Sequence, residues 1–124
     1  MSYTIGQFAQ LVSLSIDTLR FYEKEGLIIP KRDYKNHRVF NEQDVTWINF
    51  IKRLKQTGMR LTDIKEYAHL RYQGDETIAQ RLQLLYQQTD YLNAQQAELT
   101  QHLNFLHTKI AIYQNMLHEQ TIKK

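Results

Sequence analysis

A mainly α-helical fold is predicted for this chain of 124 residues, with a small head domain followed by one long C-terminal helix. Two observations predict it. Apolar residues recur at helical spacing through most of the chain, which contains only one proline and four glycines. From Asp75 to Glu119 there is no glycine or proline, and the apolar residues of this segment follow a heptad pattern.

The first two helices are predicted from their capping residues. Thr4, followed three residues later by Gln7, has the pattern of a capping box, and the apolar residues after it give a first helix one buried face. Ser15 is a candidate N-cap for a second helix, and Gly26 stands where a left-handed C-cap residue is expected. Two short helices joined by a turn at 13–15 indicate a helix-turn-helix.

A basic segment after the second helix is predicted to form a wing. Pro30 disfavours helix at the residue before it, so the chain leaves the second helix in an extended form. Residues 31–40 are polar and basic and end in the apolar pair Val39-Phe40, which predicts two short strands around a turn at 34–36. A helix-turn-helix followed by such a hairpin is typical of a winged helix-turn-helix.

Two more helices complete the predicted head, which spans residues 1–73. The third starts after Asn41, carries an apolar stripe that Trp47 and Phe50 broaden, and stops at Gly58. The fourth runs from about Leu61 to Tyr72, before the break at 73–75.

The heptad segment predicts a coiled coil over residues 75–119, with a flexible tail at 120–124. Such a helix is ~67 Å long at ~1.5 Å per residue, and the head is too small to cover its apolar stripe. We therefore expect it to pair with the same helix of a second copy, the alternative being a monomer with the helix folded back on the head. The seam residues are Ile78, Leu82, Leu85, Leu92, Leu99, Leu103, Leu106, Ile110, Tyr113 and Leu117, with Thr89 and Gln96 in the two gaps.

The polar seam residue Gln96 lies close to the midpoint of the seam. A buried polar residue in a coiled coil costs stability but fixes the register. In an antiparallel pair Gln96 would lie near the two-fold axis, where it can bond to its own mate.

Charge is distributed unevenly along the chain. Residues 1–60 contain ten lysines and arginines and six acids, whereas residues 61–124 contain six and seven. A basic N-terminal half indicates a surface for a polyanion such as nucleic acid, the alternative being a solvated charged surface.

Several classes of site are excluded or disfavoured by composition. The chain has no cysteine, which removes disulfides, thiolate metal sites and thiol redox sensing, and it has no apolar run long enough to span a membrane and no signal-peptide pattern. The five histidines form no i, i+4 pair, so we predict no metal site and no cofactor, although two chains could bring histidines together. These features are compatible with a cytoplasmic location.

The residues predicted to contact DNA lie on the second helix, on the wing and near the third helix. A recognition helix reads bases with its N-terminal half and anchors on phosphate with the rest. The predicted base contacts are Ser15, Asp17, Thr18 and Phe21; the predicted phosphate contacts are Arg20, Tyr22, Lys35, Asn36, His37, Arg38, Lys55 and Arg60. The alternatives are pairing of Arg20 with Glu23 or Glu25, Tyr22 as a core aromatic, and His37 as a plain surface residue.

The chain resembles the MerR family of transcriptional regulators over roughly residues 2–70. The matching segments are Thr4–Ala9, Thr18–Ile28, Pro30, Arg38–Phe40, Asp44–Ile51, Leu54–Met59 and Leu61–Lys65. Within the family it looks most like the small aldehyde-responsive subgroup, but Arg53 stands where that subgroup has its reactive cysteine. The turn Ser13-Leu14 and the residues Phe21 and Phe40 also depart from the usual pattern.

The resemblance implies that the C-terminal helix is an antiparallel dimerisation coil. It also implies that the homodimer grips an inverted repeat within a promoter and distorts the DNA for RNA polymerase when a signal arrives. A small-molecule effector would bind where coil and head meet. The candidate residues there are Tyr67, His69, Tyr72, Tyr86 and Tyr91, with simple packing as the alternative.

Other functions are weighed against this one. A constitutive repressor or architectural DNA binder is the alternative within DNA binding, and a coiled-coil adaptor for proteins is the alternative outside it. No catalytic triad, phosphate loop or paired-carboxylate pattern is present, so the chain is not predicted to be an enzyme.

Overall fold

The computed structural model describes residues 1–123 and contains five helices and three short strands within that range. The elements in order are β1 (Ser2–Tyr3), α1 (Ile5–Val12), α2 (Ile16–Lys24), β2 (Lys31–Arg32), β3 (Arg38–Asn41), α3 (Glu42–Gln56), α4 (Leu61–Gln73), a 3-10 turn (Asp75–Thr77) and α5 (Ile78–Ile122). The chain divides into two units, Met1–Tyr86 and Gln87–Lys124, which are described separately. No helix within residues 1–123 is both long and apolar enough to cross a membrane.

The predicted caps of α1 and α2 are present. Gln7 N donates to Thr4 Oγ1 at 3.2 Å, and Thr4 N donates to Gln7 Oε1 at 3.0 Å, which completes the capping box. Ser15 Oγ accepts from Thr18 N at 3.0 Å. Ser13, in the left-handed conformation with φ of 56°, ends α1 and turns the chain into α2. The two helices form the predicted helix-turn-helix.

A three-stranded antiparallel sheet in the order β1-β3-β2 carries the wing. The hairpin pairs Lys31 with Val39 and Arg32 with Arg38, as the basic segment predicted. The third strand, β1, was not predicted; it pairs Tyr3 with Phe40 and is only two residues long, too short to show an alternating pattern. Strand β1 thereby attaches the N-terminus to β3 of the wing, on the side opposite β2.

The head is organised around a core that joins α1, β3 and α3. Phe8 stacks on Phe40 with ring centroids 4.2 Å apart. Ile48 and Ile51 of α3 are fully buried. Trp47 Nε1 donates to the carbonyl oxygen of Leu27 at 2.7 Å, which satisfies the indole and fixes the extended segment after α2. The scaffold therefore holds α2 and the wing in fixed positions.

The start of the long helix differs from the prediction. Helix α4 ends at Gln73, and Gly74 has a φ of 122°, so the chain makes a 3-10 turn before α5 begins at Ile78 rather than Asp75. The buried hydroxyl of Thr77 holds this turn by donating to the carbonyl oxygen of Leu70 at 2.6 Å. This contact links residues seven apart and is not visible in the heptad pattern.

Helix α5 runs over 45 residues and continues past the predicted end of the coil to Ile122. Of the predicted tail 120–124, residues 120–122 are thus helical and Lys124 lies outside the described residues. Leu85 packs partly against the core of the head. In the single chain, the apolar seam residues of the second unit are 39% to 63% exposed. They are Leu92, Leu99, Leu103, Leu106, Ile110, Tyr113 and Leu117.

Candidate nucleic-acid interface

The outer face of α2 presents three of the residues that were predicted to contact DNA. The side chains of Asp17 and Arg20 are 94% and 58% exposed, and Phe21 is 45% exposed. Arg20 lies 3.7 Å from Asp17 rather than pairing with Glu23 or Glu25. An ion pair this exposed is weak, so both groups are available to another partner.

The hydroxyl groups of Ser15 and Thr18 have a structural role at the start of α2. Ser15 Oγ caps the helix and lies 2.8 Å from Thr18 Oγ1. Each hydroxyl retains spare hydrogen-bonding capacity, because it can both donate and accept. Base contact by this pair remains a prediction.

Tyr22 does not lie on the exposed face of α2. Its side chain is 2% exposed and belongs to the core, and its hydroxyl accepts from Lys55 Nζ at 3.3 Å. The structure thus corrects the phosphate contact predicted for Tyr22 in favour of the core alternative. The cause is the helical period, which turns Leu19 and Tyr22 inward together.

The wing is joined to α2 by a carboxylate that was not predicted to take part. Glu23 accepts from Arg38 Nε, and its other oxygen lies 2.8 Å from an Arg32 nitrogen. Arg38, predicted to hold phosphate, is therefore also a link between the wing and α2. The sequence signal for this pairing is weak, because Glu23 and Arg38 are fifteen residues apart.

These ion pairs affect the titration of Glu23. Partial burial raises its pKa, but the hydrogen bonds and charges of Arg38 and Arg32 outweigh burial, so the pKa lies below its ordinary value. A carboxyl group whose pKa is lower in the folded state stabilises that state above its unfolded pKa. This contribution disappears as the pH falls through the folded pKa.

We expect Glu23→Gln to destabilise the head at neutral pH and to have a progressively smaller effect in acid. The difference in free energy of unfolding between wild type and variant should be constant near pH 7 and shrink below about pH 5, since Glu23 becomes protonated in both states. Urea unfolding at several pH values measures it. Glu66→Gln, at an exposed position of α4, is the control; a pH-independent difference for Glu23→Gln would contradict the ion-pair account.

A cleft of about 490 Å³ brings residues of α2, the wing and the N-terminus together. Among its lining residues are Arg20, Asn36, His37 and Arg38, all predicted contacts, and Arg32, which was not predicted. The basic side chains that converge on it suit an anion such as a phosphate. The cleft also includes Thr4 and Gln7, for which the sequence indicated only the capping box, and Tyr3, for which it indicated no role.

The remaining predicted contacts lie outside this cleft. Lys35 is exposed at the wing tip with its ammonium 5.5 Å from the Tyr34 ring. His37, which does line the cleft, has a side chain that is 72% exposed, with its Nδ1 3.7 Å from the Asp33 carboxylate. Lys55 bonds to Tyr22, and Arg60 is exposed at the N-cap position of α4 without a capping hydrogen bond.

The five residues predicted for an effector site are divided between the two units of the chain. Tyr67 and Tyr72 both pack against Trp47, with ring centroids 6.0 and 6.3 Å away. His69 instead lies 2.9 Å from Gln73 through its Nε2. Tyr86 is 53% exposed, and Tyr91 belongs to the second unit, where its hydroxyl accepts from Gln95.

Tyr67 does line a different cleft of the head, which we call the aromatic cleft. It measures about 580 Å³ and is lined by Gln43, Thr46, Trp47, Phe50, Tyr67, Arg71 and Arg81. The Arg71 guanidinium lies 4.3 Å from the centre of the Trp47 ring and 4.9 Å from that of Tyr72. The sequence showed Trp47 and Phe50 only as a broadened helical stripe.

No group of three metal-binding side chains occurs within residues 1–123.

Comparisons with known proteins identify the family. The model of the MerR HTH family regulatory protein matches residues 3–70, and the model described as MerR, DNA binding matches residues 45–116. An HTH-type transcriptional regulator of Haemophilus influenzae is 42% identical over 116 residues, which cover 92% of this chain and 85% of that protein.

Two solved structures are similar in fold. One is HiNmlR, a MerR family regulator lacking the sensor domain, bound to promoter DNA, at 42% identity and a TM-score of 0.74, covering 93% of this chain and 92% of that one. The other is a putative MerR family regulator from Listeria monocytogenes, at 28% identity and a TM-score of 0.76, covering 90% and 85%. The chain belongs to the MerR family of transcriptional regulators.

Proposed function

We propose that this regulator binds promoter DNA as a homodimer and recognises one half-site of an inverted repeat with each head. The observation that carries the proposal is the cleft of about 490 Å³, which is lined both by Arg20 of α2 and by Arg32, His37 and Arg38 of the wing. The similar regulator bound to promoter DNA supports it. The adaptor alternative has no comparable observation in its favour.

Each part of the interface is assigned a separate task. Helix α2 enters the major groove, where exposed Asp17 can accept from a cytosine amino group and Phe21 can contact a thymine methyl. Arg20 and the wing residues hold the flanking phosphates. Lys55 and Arg60 are further phosphate contacts, whereas Tyr22 supports α2 from the core.

The dimer is proposed to form through the seam of α5 in antiparallel orientation. The exposed apolar seam of the second unit supports this, because such a stripe is costly to leave in water. If Ile78 of each copy pairs with Leu117 of the other copy, the whole seam is used. The two-fold axis then lies next to Gln96. The polar Gln96 and Thr89 then limit slippage of the register.

Regulation is proposed to act through the DNA. A dimer that holds both half-sites can bend and untwist the promoter between them, which costs a few kcal/mol and is offset by the contacts at each end. This would bring the promoter elements into position for RNA polymerase in response to a signal yet to be identified. The proposed regulator is a DNA-binding protein and not an enzyme. Its proposed location is the cytoplasm, where the promoter DNA lies.

Selection of binding sites from a random duplex library tests the proposal. Enrichment of an inverted repeat with half-sites about one or two helical turns apart is the expected result. Enrichment of no sequence, with only salt-sensitive general binding, would contradict it in favour of an architectural binder or an adaptor.

Chain orientation in the dimer is tested with cysteines, which the natural chain lacks. Single variants Ile78→Cys and Leu117→Cys should form disulfide-linked dimers when mixed but not alone, because antiparallel pairing sets opposite ends of the seam together. Self-linking of each variant alone would indicate a parallel coil.

We expect Arg20→Gln to lower operator affinity about tenfold and to reduce the salt dependence of binding by about one phosphate contact. Titrations at several salt concentrations measure both quantities. Lys24→Gln, on the same helix and exposed but outside the cleft, is the matched control. An unchanged salt slope for Arg20→Gln would exclude Arg20 from the phosphate contacts.

A further inference from the structure

Helix α4 holds the chain where it leaves α2. Lys65 Nζ donates to a carboxylate oxygen of Glu25, the C-cap residue of α2, at 2.8 Å. Two turns further along α4, the hydroxyl of Tyr72 accepts from the backbone N–H of Ile29 at 3.0 Å. Positions seven apart lie on one face of a helix, so a single face of α4 makes both contacts. Residues 25–30, which join α2 to the wing, are here called the exit segment.

The exit segment is neither helix nor strand, so its position depends on contacts with its neighbours. Leu27 and Ile28 are fully buried, and the carbonyl oxygen of Leu27 accepts from Trp47 of α3. The side chain of Ile29 points outward by comparison and is 59% exposed, and Pro30 has no N–H to donate. The Tyr72 hydroxyl therefore holds the last backbone donor before the wing.

Tyr72 offers its hydroxyl from a fixed place. Its ring packs edge-on against Trp47, and the Arg71 guanidinium lies 4.9 Å from the ring centre. The end of α4 is anchored in turn by Thr77, whose buried hydroxyl donates to the carbonyl oxygen of Leu70. The same helix thereby ties the exit segment to the start of α5.

The exit segment lies between the two parts of the proposed DNA interface. Arg20 precedes it on α2, and the cations of the wing follow it. Glu23 joins the wing to α2, and the two α4 contacts join both of them to the rest of the head. The orientation of this whole DNA-reading surface on the head therefore depends on side chains that lie behind it.

We propose that Lys65 and Tyr72 are positioning residues for operator recognition, which fix the end of α2 and the approach to the wing from one face of α4. This inference rests on the proposed binding of a dimer to two half-sites, because the two heads must then present their reading surfaces at one set orientation. In this role neither residue touches DNA. Arbitrary DNA is bound in many orientations, so its affinity does not depend on these contacts.

Glu25→Gln separates the positioning role from simple electrostatics, because the two predict opposite signs. Loss of a carboxylate near a DNA-binding surface reduces the repulsion of phosphate and should strengthen binding. Loss of the ion pair with Lys65 should instead lower operator affinity by about twofold to fivefold. Lys65→Arg, which keeps the charge and can still donate, should bind like the wild type. Glu66→Gln removes an exposed carboxylate of α4 without breaking this pair and should bind at least as tightly as the wild type.

Tyr72→Phe removes the hydroxyl and keeps the ring. Operator affinity should fall by about threefold to tenfold, the range expected for one lost hydrogen bond. The urea midpoint should stay close to that of the wild type, because water can replace the hydroxyl at the exposed Ile29. Tyr91→Phe removes a hydroxyl that accepts from Gln95 in the second unit, and it should leave operator affinity unchanged.

Titrations of the operator and of a duplex of arbitrary sequence, at one salt concentration, measure both affinities. Equal losses on the two duplexes, or a lower urea midpoint together with the loss, would indicate a merely structural role and overturn the inference. Operator binding by Glu25→Gln that is as tight as that of the wild type, or tighter, would also overturn it. If the wild type itself prefers no sequence, the proposed function fails; if the wild type prefers the operator and the variants match it, the inference alone fails.

Amide hydrogen exchange measures the Tyr72 contact directly. In Tyr72→Phe the amide of Ile29 should exchange faster than in the wild type. The amide of Leu27, which donates to the carbonyl oxygen of Tyr22 at 2.8 Å, should remain protected. Unchanged exchange at Ile29 would show that the hydroxyl does not hold the exit segment.

Discussion

Replacing Leu99 and Leu103 with lysine is expected to separate the dimer and to abolish operator binding at working concentrations. Both side chains lie at the centre of the proposed seam and are 59% and 46% exposed in the single chain, so the head should fold normally. In a dimer the four ammonium groups, two from each chain, would be buried without partners, which is strongly unfavourable. A lone head then holds one half-site, with an expected loss of affinity of about 100-fold or more.

Light scattering and operator titration measure the two effects on the same samples. Gln101→Lys, at an f position away from the seam, adds a charge to the same stretch of helix and should leave both properties close to wild type. A Leu99→Lys, Leu103→Lys variant that stays dimeric would place the interface elsewhere.

Phe40→Ala is expected to lower the free energy of unfolding by about 3–5 kcal/mol, the usual range for deletion of a buried phenyl ring. Phe40 is 2% exposed, its ring stacks on Phe8 at 4.2 Å, and its backbone pairs with Tyr3. Phe40 therefore joins the wing to α1 through its ring and to the N-terminal strand through its backbone. Loss of the ring also loosens the wing, so weaker DNA binding should accompany the lower stability.

Urea unfolding at a fixed protein concentration measures this effect, because association contributes to the apparent stability of a dimer. Tyr34→Ala, at the wing tip with 91% of the residue exposed, should change stability by no more than about 0.5 kcal/mol. A loss below about 1 kcal/mol for Phe40→Ala would show that the wing is not anchored through this ring.

Features of the fold that depend on neighbours in sequence were predictable. The capping box of Thr4 and Gln7 and the cap at Ser15 are three-residue patterns, and Gly26 has the positive φ that its place after α2 requires. The heptad pattern likewise predicted a long helix, because its period is repeated many times within the chain. Each of these signals lies within one element and does not depend on how the elements pack.

Features that depend on packing between elements were not predictable. The contact between the Tyr22 hydroxyl and Lys55 follows from the position of α2 against α3, and the Glu23 pairings follow from the fold of the wing. The aromatic cleft forms where α3, α4 and the start of α5 meet. In each case a side chain with two possible roles received the one that its tertiary neighbours allowed.

Glu23 has a consequence for how the protein searches for its site. Its carboxylate neutralises part of the charge of Arg32 and Arg38 before any DNA is present. A phosphate must compete with this internal anion, so contact with arbitrary DNA gains less attraction than two free arginines would provide. The same ion pairs hold the wing in its folded position, which lowers the ordering entropy lost at the operator. If Arg32 and Arg38 contact phosphate as proposed, we expect Glu23 to shorten residence on non-specific DNA and to leave more of the protein free to find its operator.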